Sequence, residues 1–193
     1  MQNTLVEMYS ISPERASFAR RFVATLIDNT IIAFISITLS ITVGPNLLHI
    51  IGIDSDTELS IFSDSDMDDE AEDLLQSLYI NGDIFFALTV LANLTTVLYS
   101  MSELLTNASP GKRIMGIAIG SDIGEPASQA LLARRWALRY GAYVLALIPA
   151  TSAFAPLLHF VITCGFFMAL GSERLTLHDR AVHSAVYYRE DLE

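Results

Sequence analysis

Cysteine occurs once in the 193 residues, at Cys164, and lysine once, at Lys112. One cysteine excludes an intramolecular disulfide framework. Basic residues are scarce: 11 Lys and Arg stand against 22 Asp and Glu, for a formal net charge of −11, and no nucleic-acid partner is expected. A phosphate-binding loop is also missing. Gly111-Lys112-Arg113 lacks the upstream glycine of G-x-x-x-x-G-K, and an arginine stands where the magnesium-binding hydroxyl belongs. His178, Asp179 and His183 lack the H-E-x-x-H spacing, and no activated serine or cysteine accompanies them. The chain is therefore expected not to be an enzyme and to carry no metal or cofactor. From Gly44 to Asp83 there is no basic residue, whereas Asp54 to Asp73 is dense in acids without the glycine and terminal glutamate of an EF-hand.

Long apolar runs are what the chain does have. Hydrophobic residues make up 52%, charged residues only 17%, and mean hydropathy is +0.44. A bilayer core of about 30 Å needs roughly 20 helical residues, and the stretches 22–43 and 84–104 each suffice. Trp136 to Leu170 is too long for one upright helix and is interrupted by Pro149, Thr151, Ser152 and Pro156, so it reads as a hairpin of two helices. The basic residues cluster before the first run, between the second and third, and after the last. Under the positive-inside rule both termini are cytoplasmic and 44–83 is an acidic extracytoplasmic loop. Three crossings would put Arg174 and Arg180 outside, which that rule disfavours. The expected fold is an all-α membrane protein of one domain, 1–193. It has four transmembrane helices in two hairpins, a small cytoplasmic two-stranded β element and an interfacial amphipathic helix. About twenty mostly polar residues precede the first run, so it is expected to anchor rather than to be cleaved.

Within the first run stands Asp28, a residue that costs about 2.5 to 3.5 kcal/mol near a membrane helix centre and needs a protein or wet surrounding. Arg21 lies two turns earlier on the same face, with Thr25 between them. The second run carries Thr89, Asn93, Thr96, Ser100 and Glu103 along one face. Two readings of this stripe stand: ordinary interhelical hydrogen bonds, or a lined pathway facing Asp28. Glu103 needs a cation, for which Arg21 and Arg113 are candidates. His159, in the fourth run, is either a packed neutral side chain or part of a proton relay.

These residues resemble a known family. Ala19-Arg20-Arg21-Phe22 with Leu26-Ile27-Asp28, then Tyr99, Glu103 and Ser109-Pro110-Gly111-Lys112-Arg113-Ile114-Met115-Gly116, and finally Leu177-His178-Asp179-Arg180 are similar to three ordered segments of the RDD family of bacterial and archaeal membrane proteins. The resemblance spans about Phe18 to Tyr188. It implies that Arg21, with Arg20 beside it, Asp28 and Asp179 are the characteristic charged residues, and that transport, including cation/proton antiport in some members, is the proposed role.

A repeat is visible as well. Ala19-Arg20-Arg21-Phe22 recurs as Ala133-Arg134-Arg135-Trp136, and Ser109-x3-Arg113 recurs as Thr176-x3-Arg180, each followed by a strand-like stretch. Two equivalent halves and the positive-inside rule acting alone explain this equally well. Residues 114–119 and 184–188 are predicted to pair as strands, with Gly111 permitting the turn between membrane and strand. Lys112 and Arg113 are expected at the headgroups, as is His178 at the membrane surface. Asp179 is expected to cap a helix or pair with the Gly-Lys-Arg turn. Pro126 to Trp136 is predicted to lie flat in the interface, with Arg134, Arg135 and Arg139 snorkelling. Two functions remain: a cation/proton transporter in the cell (cytoplasmic) membrane using Asp28, with monovalent cations and protons as partners and a homo-oligomer around the pathway, or a membrane scaffold in which Arg21, Asp28 and Asp179 form a structural charge network.

Overall fold

The computed structural model describes residues 13–43, 46 and 70–192, with side chains from 88 onward in the second helix. Most of the acidic loop lies outside the described residues. Its last part is helical: α2 runs Glu70–Thr106, so Glu70, Glu72, Asp73 and Asp83 belong to a 37-residue helix rather than to a loop. Helix α1, Phe18–Thr42, starts at Ser17, whose side chain accepts from the Arg20 amide. Along α1 the hydroxyls of Thr30, Thr38, Ser40 and Thr42 donate to carbonyls four residues back. This satisfies them within their own helix and suits an apolar surrounding. The same helix displays Phe34, Ile37 and Ile41, all exposed.

A short helix α3, Pro110–Ile114, follows α2, with proline at its start where no amide is needed. Strand β1 is Ile117–Ser121. Helix α4 is Gln129–Ala146, capped by Ser128. The chain then turns through 147–151 and a 3-10 turn into α5, Ala155–Phe166, where the prolines and hydroxyls of the apolar run predicted a break. Helix α6, Leu177–Val182, opens with a capping box of Thr176 and Asp179. His183 then takes the left-handed conformation, φ 57°, and releases the chain into β2, Ser184–Tyr188. Gly116, φ 64°, does the same before β1. Both positions stand seven residues after the polar residue that opens the short helix, Ser109 or Thr176. The element order helix, helix, short helix, strand thus occurs twice.

The strands pair antiparallel, Ile117 opposite Tyr188 and Ser121 opposite Ser184. The predicted first strand was three residues early because Ile114 completes α3. Chain 14–16 adds to the other edge of β2 through Ala16 N–H on Val186 C=O. A core of Ala16, Ala24, Ile117, Ile119, Leu132 and Val186 joins the sheet to α1 and α4.

Among the described residues three helical stretches are long and apolar enough to cross a membrane: Phe18–Thr42, Leu88–Thr106 and Ser152–Leu170. Helix α4 is not one of them, and no separate interfacial helix precedes it. The stretch predicted to lie flat forms the first turns of α4. Leu132 is buried in the core rather than in acyl chains, and Arg135 is buried rather than snorkelling. Arg135 has Glu103 and Asp179 as partners, which removes its reason to reach for headgroups, whereas Arg134 is exposed. Helix α1 packs on α2, α2 on α4, and α4 on α5, whereas α1 and α5 scarcely touch. At one end that side is closed by Phe18, whose ring lies 5.4 Å from Phe166 and 6.2 Å from Phe167.

Candidate functional site: a buried charge cluster and the cavity above it

Asp179 sits at the third position of α6, where the capping box fixes it, and is fully buried. One carboxylate oxygen accepts from Arg21 Nη1 at 2.9 Å and from the Thr176 amide at 3.2 Å. The other accepts from Arg135 Nε at 3.0 Å and Ser184 Oγ at 3.2 Å. Burial by itself would raise the Asp179 pKa, but the guanidinium groups of Arg135 and Arg21 outweigh it and hold the carboxyl well below the usual range. Arg21 also donates to Val186 C=O at 3.1 Å, tying α1 to the sheet. Arg21 and Arg135 occupy equivalent places in the repeated Ala-Arg-Arg-aromatic segments, and both converge on this one carboxylate.

Glu103, at the end of α2, is the second anchor. It accepts from Lys112 Nζ at 2.5 Å and from Arg135 Nη1 in a short contact, with Tyr140 Oη at 3.4 Å. Its partners are therefore Lys112 and Arg135, not Arg21 or Arg113 as the spacing suggested. Lys112 is buried for this reason, and of the basic pair only Arg113 is exposed, as headgroup contact requires. His178 is likewise buried, not at the surface. Its Nε2 lies 3.2 Å from Arg135 Nη2, and since a guanidinium only donates, Nε2 must accept and the proton sits on Nδ1. Burial and the adjacent Arg135 push its pKa well below the ordinary value, so the ring is neutral. Arg20 points outward and lies over the Tyr188 ring at 4.7 Å. Asp179 caps as expected, but it pairs with the two arginines and not with the Gly-Lys-Arg turn.

Asp28 is separate from this cluster. Tyr99 Oη donates to Oδ1 at 2.7 Å, the Gly111 amide to Oδ1 at 2.8 Å, and Ser109 Oγ to Oδ2 at 2.5 Å. Among the described residues no arginine or lysine forms an ion pair with it. Arg21, two turns away on the same helix, is turned to Asp179 instead. The carboxylate thus caps α3 from a neighbouring helix. Ser109, at the place where Thr176 caps α6, makes no cap of its own and donates to Asp28. Gly111 is required by proximity: a Cβ there would lie 2.3 Å from Ala24 C=O and 2.8 Å from Asp28 Oδ1.

A cavity of about 300 Å³ lies between α1, α2, α4 and α5, and Asp28, Asn29, Thr96, Arg139, His159 and His178 are on its wall. A second, of about 350 Å³, is lined by Thr89, Asn93, Tyr143 and His159. The stripe on α2 is thereby divided. Thr89 and Asn93 face one cavity, Thr96 faces the cavity of Asp28, Ser100 accepts from Trp136 Nε1 at 2.8 Å, and Glu103 enters the cluster. His159 is exposed to the cavities and stacks edge-on to Tyr143 at 5.0 Å.

Sequence reasoning missed Arg135, which bridges both buried acids. Its equivalence to Arg21 in the repeat was the signal available. Arg139 and Tyr140 carried no such signal.

The sequence pattern of the RDD family matches residues 15–183, most of the chain and all three charged segments. The chain belongs to the RDD family. No curated protein and no solved structure matches it. In this RDD-family protein Arg21 and Asp179 form one buried pair, and Asp28 stands apart from them.

Proposed function

We propose that this RDD-family protein is a small transporter that exchanges a monovalent cation for protons at Asp28. One observation carries the reading. Asp28 is the buried carboxylate, among the described residues, with neutral donors and no counter-cation, and it lines a cavity. Glu103 and Asp179 are neutralised by fixed arginine and lysine, which cannot leave. Asp28 keeps a charge that a mobile ion or proton can answer, which is the usual meaning of an acid within a membrane segment. On this reading α4 and α5 form the second hairpin, the basic ends of the helices face the cytoplasm, both termini lie there, and a homo-oligomer surrounds the pathway. No catalysis is involved.

The cluster of Arg21, Asp179, Arg135, Glu103 and Lys112 favours a second reading, a scaffold whose charges only hold four helices and a sheet together. The test is ion-coupled proton flux in liposomes loaded with a pH dye and given sodium, lithium or potassium pulses. Transport predicts a dye response in wild-type protein that Asp28→Asn removes. A folded, inserted wild-type protein that gives no response to any of the three ions refutes transport and leaves the scaffold.

A further inference from the structure

Arg21, Lys112, Arg135 and Arg139 gather about three buried carboxylates, Asp28, Glu103 and Asp179. Arg21, Lys112 and Arg135 each bond directly to a carboxylate, whereas Arg139 does not. Its nearest acid oxygen, Glu103 Oε2, is 3.8 Å away, too far for a hydrogen bond, and its guanidinium otherwise lies 5.2 Å from the Tyr140 ring centre. Among the described residues none of its five N–H groups finds a hydrogen-bond acceptor, although its side chain is only 14% exposed. Beside it on the cavity wall is His178, whose Nδ1, the protonated nitrogen, is buried and has no acceptor. An almost buried guanidinium and an orphan buried N–H require an acceptor carrying negative charge. Asp28, on the same wall, takes its bonds from Tyr99, Ser109 and Gly111 and forms no ion pair with Arg139.

The shape of the cavity says how that acceptor arrives. Three sides of the bundle are packed, whereas α1 and α5 scarcely touch. Phe22, Ile32, Ile162 and Phe167 form an apolar rim on that side, and Phe22 and Phe167 are about half exposed. A polar, cationic interior behind an apolar slit between membrane helices suits a molecule with an anionic head and hydrocarbon tails, which approaches from the bilayer. We propose that the cavity takes the phosphate head of an anionic lipid entering sideways between α1 and α5, its oxygens accepting from Arg139 and from His178 Nδ1–H. Thr25, Asn29 and Thr163 on the same wall supply further donors. The site shares its cavity with Asp28, but it is drawn from Arg139 and His178 and does not rest on cation exchange.

The full-length protein in a neutral detergent tests this by thermal unfolding with three additives: dioctanoyl phosphatidic acid, dioctanoyl phosphatidylcholine and inorganic phosphate. Phosphatidic acid raises the Tm saturably. Arg139→Gln weakens that response roughly tenfold or more, the loss of one charge-assisted hydrogen bond. Arg139→Lys keeps the charge opposite Glu103 but loses the planar fork, folds, and binds more weakly than wild type. Native mass spectrometry of the wild type with phosphatidic acid gives a second readout that needs no variant: one lipid retained per chain. Equal responses in wild type and Arg139→Lys, or phosphatidylcholine acting as well as phosphatidic acid, overturn the site. Inorganic phosphate matching the lipid at equal concentration overturns the sideways approach.

Discussion

Asp28 and Asp179 are both buried aspartates, yet replacing each by asparagine has very unequal consequences. Asparagine at 28 offers one oxygen and one amino group. The oxygen can keep both bonds of Oδ1, from Tyr99 Oη and the Gly111 amide, and the amino group can donate to Ser109 Oγ once that hydroxyl turns round. No fixed cation is stranded. Three charge-assisted bonds become neutral ones, and the desolvation cost of the carboxylate disappears, so the net loss is about 1 kcal/mol. At 179 each oxygen meets a guanidinium and a second donor. Whichever way the amide is placed, its amino group faces donors; Arg21 loses its countercharge and Arg135 keeps only Glu103. That costs about 3 to 5 kcal/mol, which at roughly 2 to 4 °C per kcal/mol lowers the Tm by about 6 to 20 °C. The assay is thermal unfolding of both variants in one detergent, followed by proton flux on whichever remains folded. Asp28→Asn losing as much stability as Asp179→Asn would refute the separation of Asp28 from the cluster, and a stable Asp28→Asn with full flux would refute its role as proton carrier.

Gly111→Ala places a methyl 2.3 Å from Ala24 C=O and pushes α3 away from α1. It is expected to cost about 1 to 3 kcal/mol and to show as a lower Tm and a broadened size-exclusion peak. His178 is neutral when folded, with its pKa below the ordinary value of 6.5. The unfolded chain therefore binds the extra proton first as pH falls, and stability drops between about pH 6.5 and 5 by up to about 1.4 kcal/mol per unit. His178→Gln, which can still accept from Arg135, should flatten that slope in thermal unfolding against pH. Ser100→Ala removes the acceptor of Trp136 Nε1. Because Trp136 is the only tryptophan, its emission should change while stability falls by about 1 kcal/mol.

Local information in the sequence was enough for three helices long and apolar enough to cross a membrane, the break near Pro149 and Pro156 and the paired strands, and it singled out Arg21, Asp28, Glu103 and Asp179, all of which are buried. Apolar run length, turn chemistry and the energetic cost of a charge among apolar residues are properties of short stretches, and each leaves its mark within about twenty residues. Partnership is different. Arg21 and Asp28 share a helix face, but Arg21 reaches a carboxylate 158 residues away, because the antiparallel pairing of β1 with β2 brings α6 against the ends of α1 and α4. Lys112, Arg135 and His178 belonged at a headgroup surface by composition. The fold buries them because Glu103 and Asp179 are there to receive them, and a paired charge has less reason to reach water. Only the tertiary structure could leave Asp28 with neutral donors, open the side between α1 and α5, and set Arg139 beside an orphan N–H, since each depends on which helices pack and which do not.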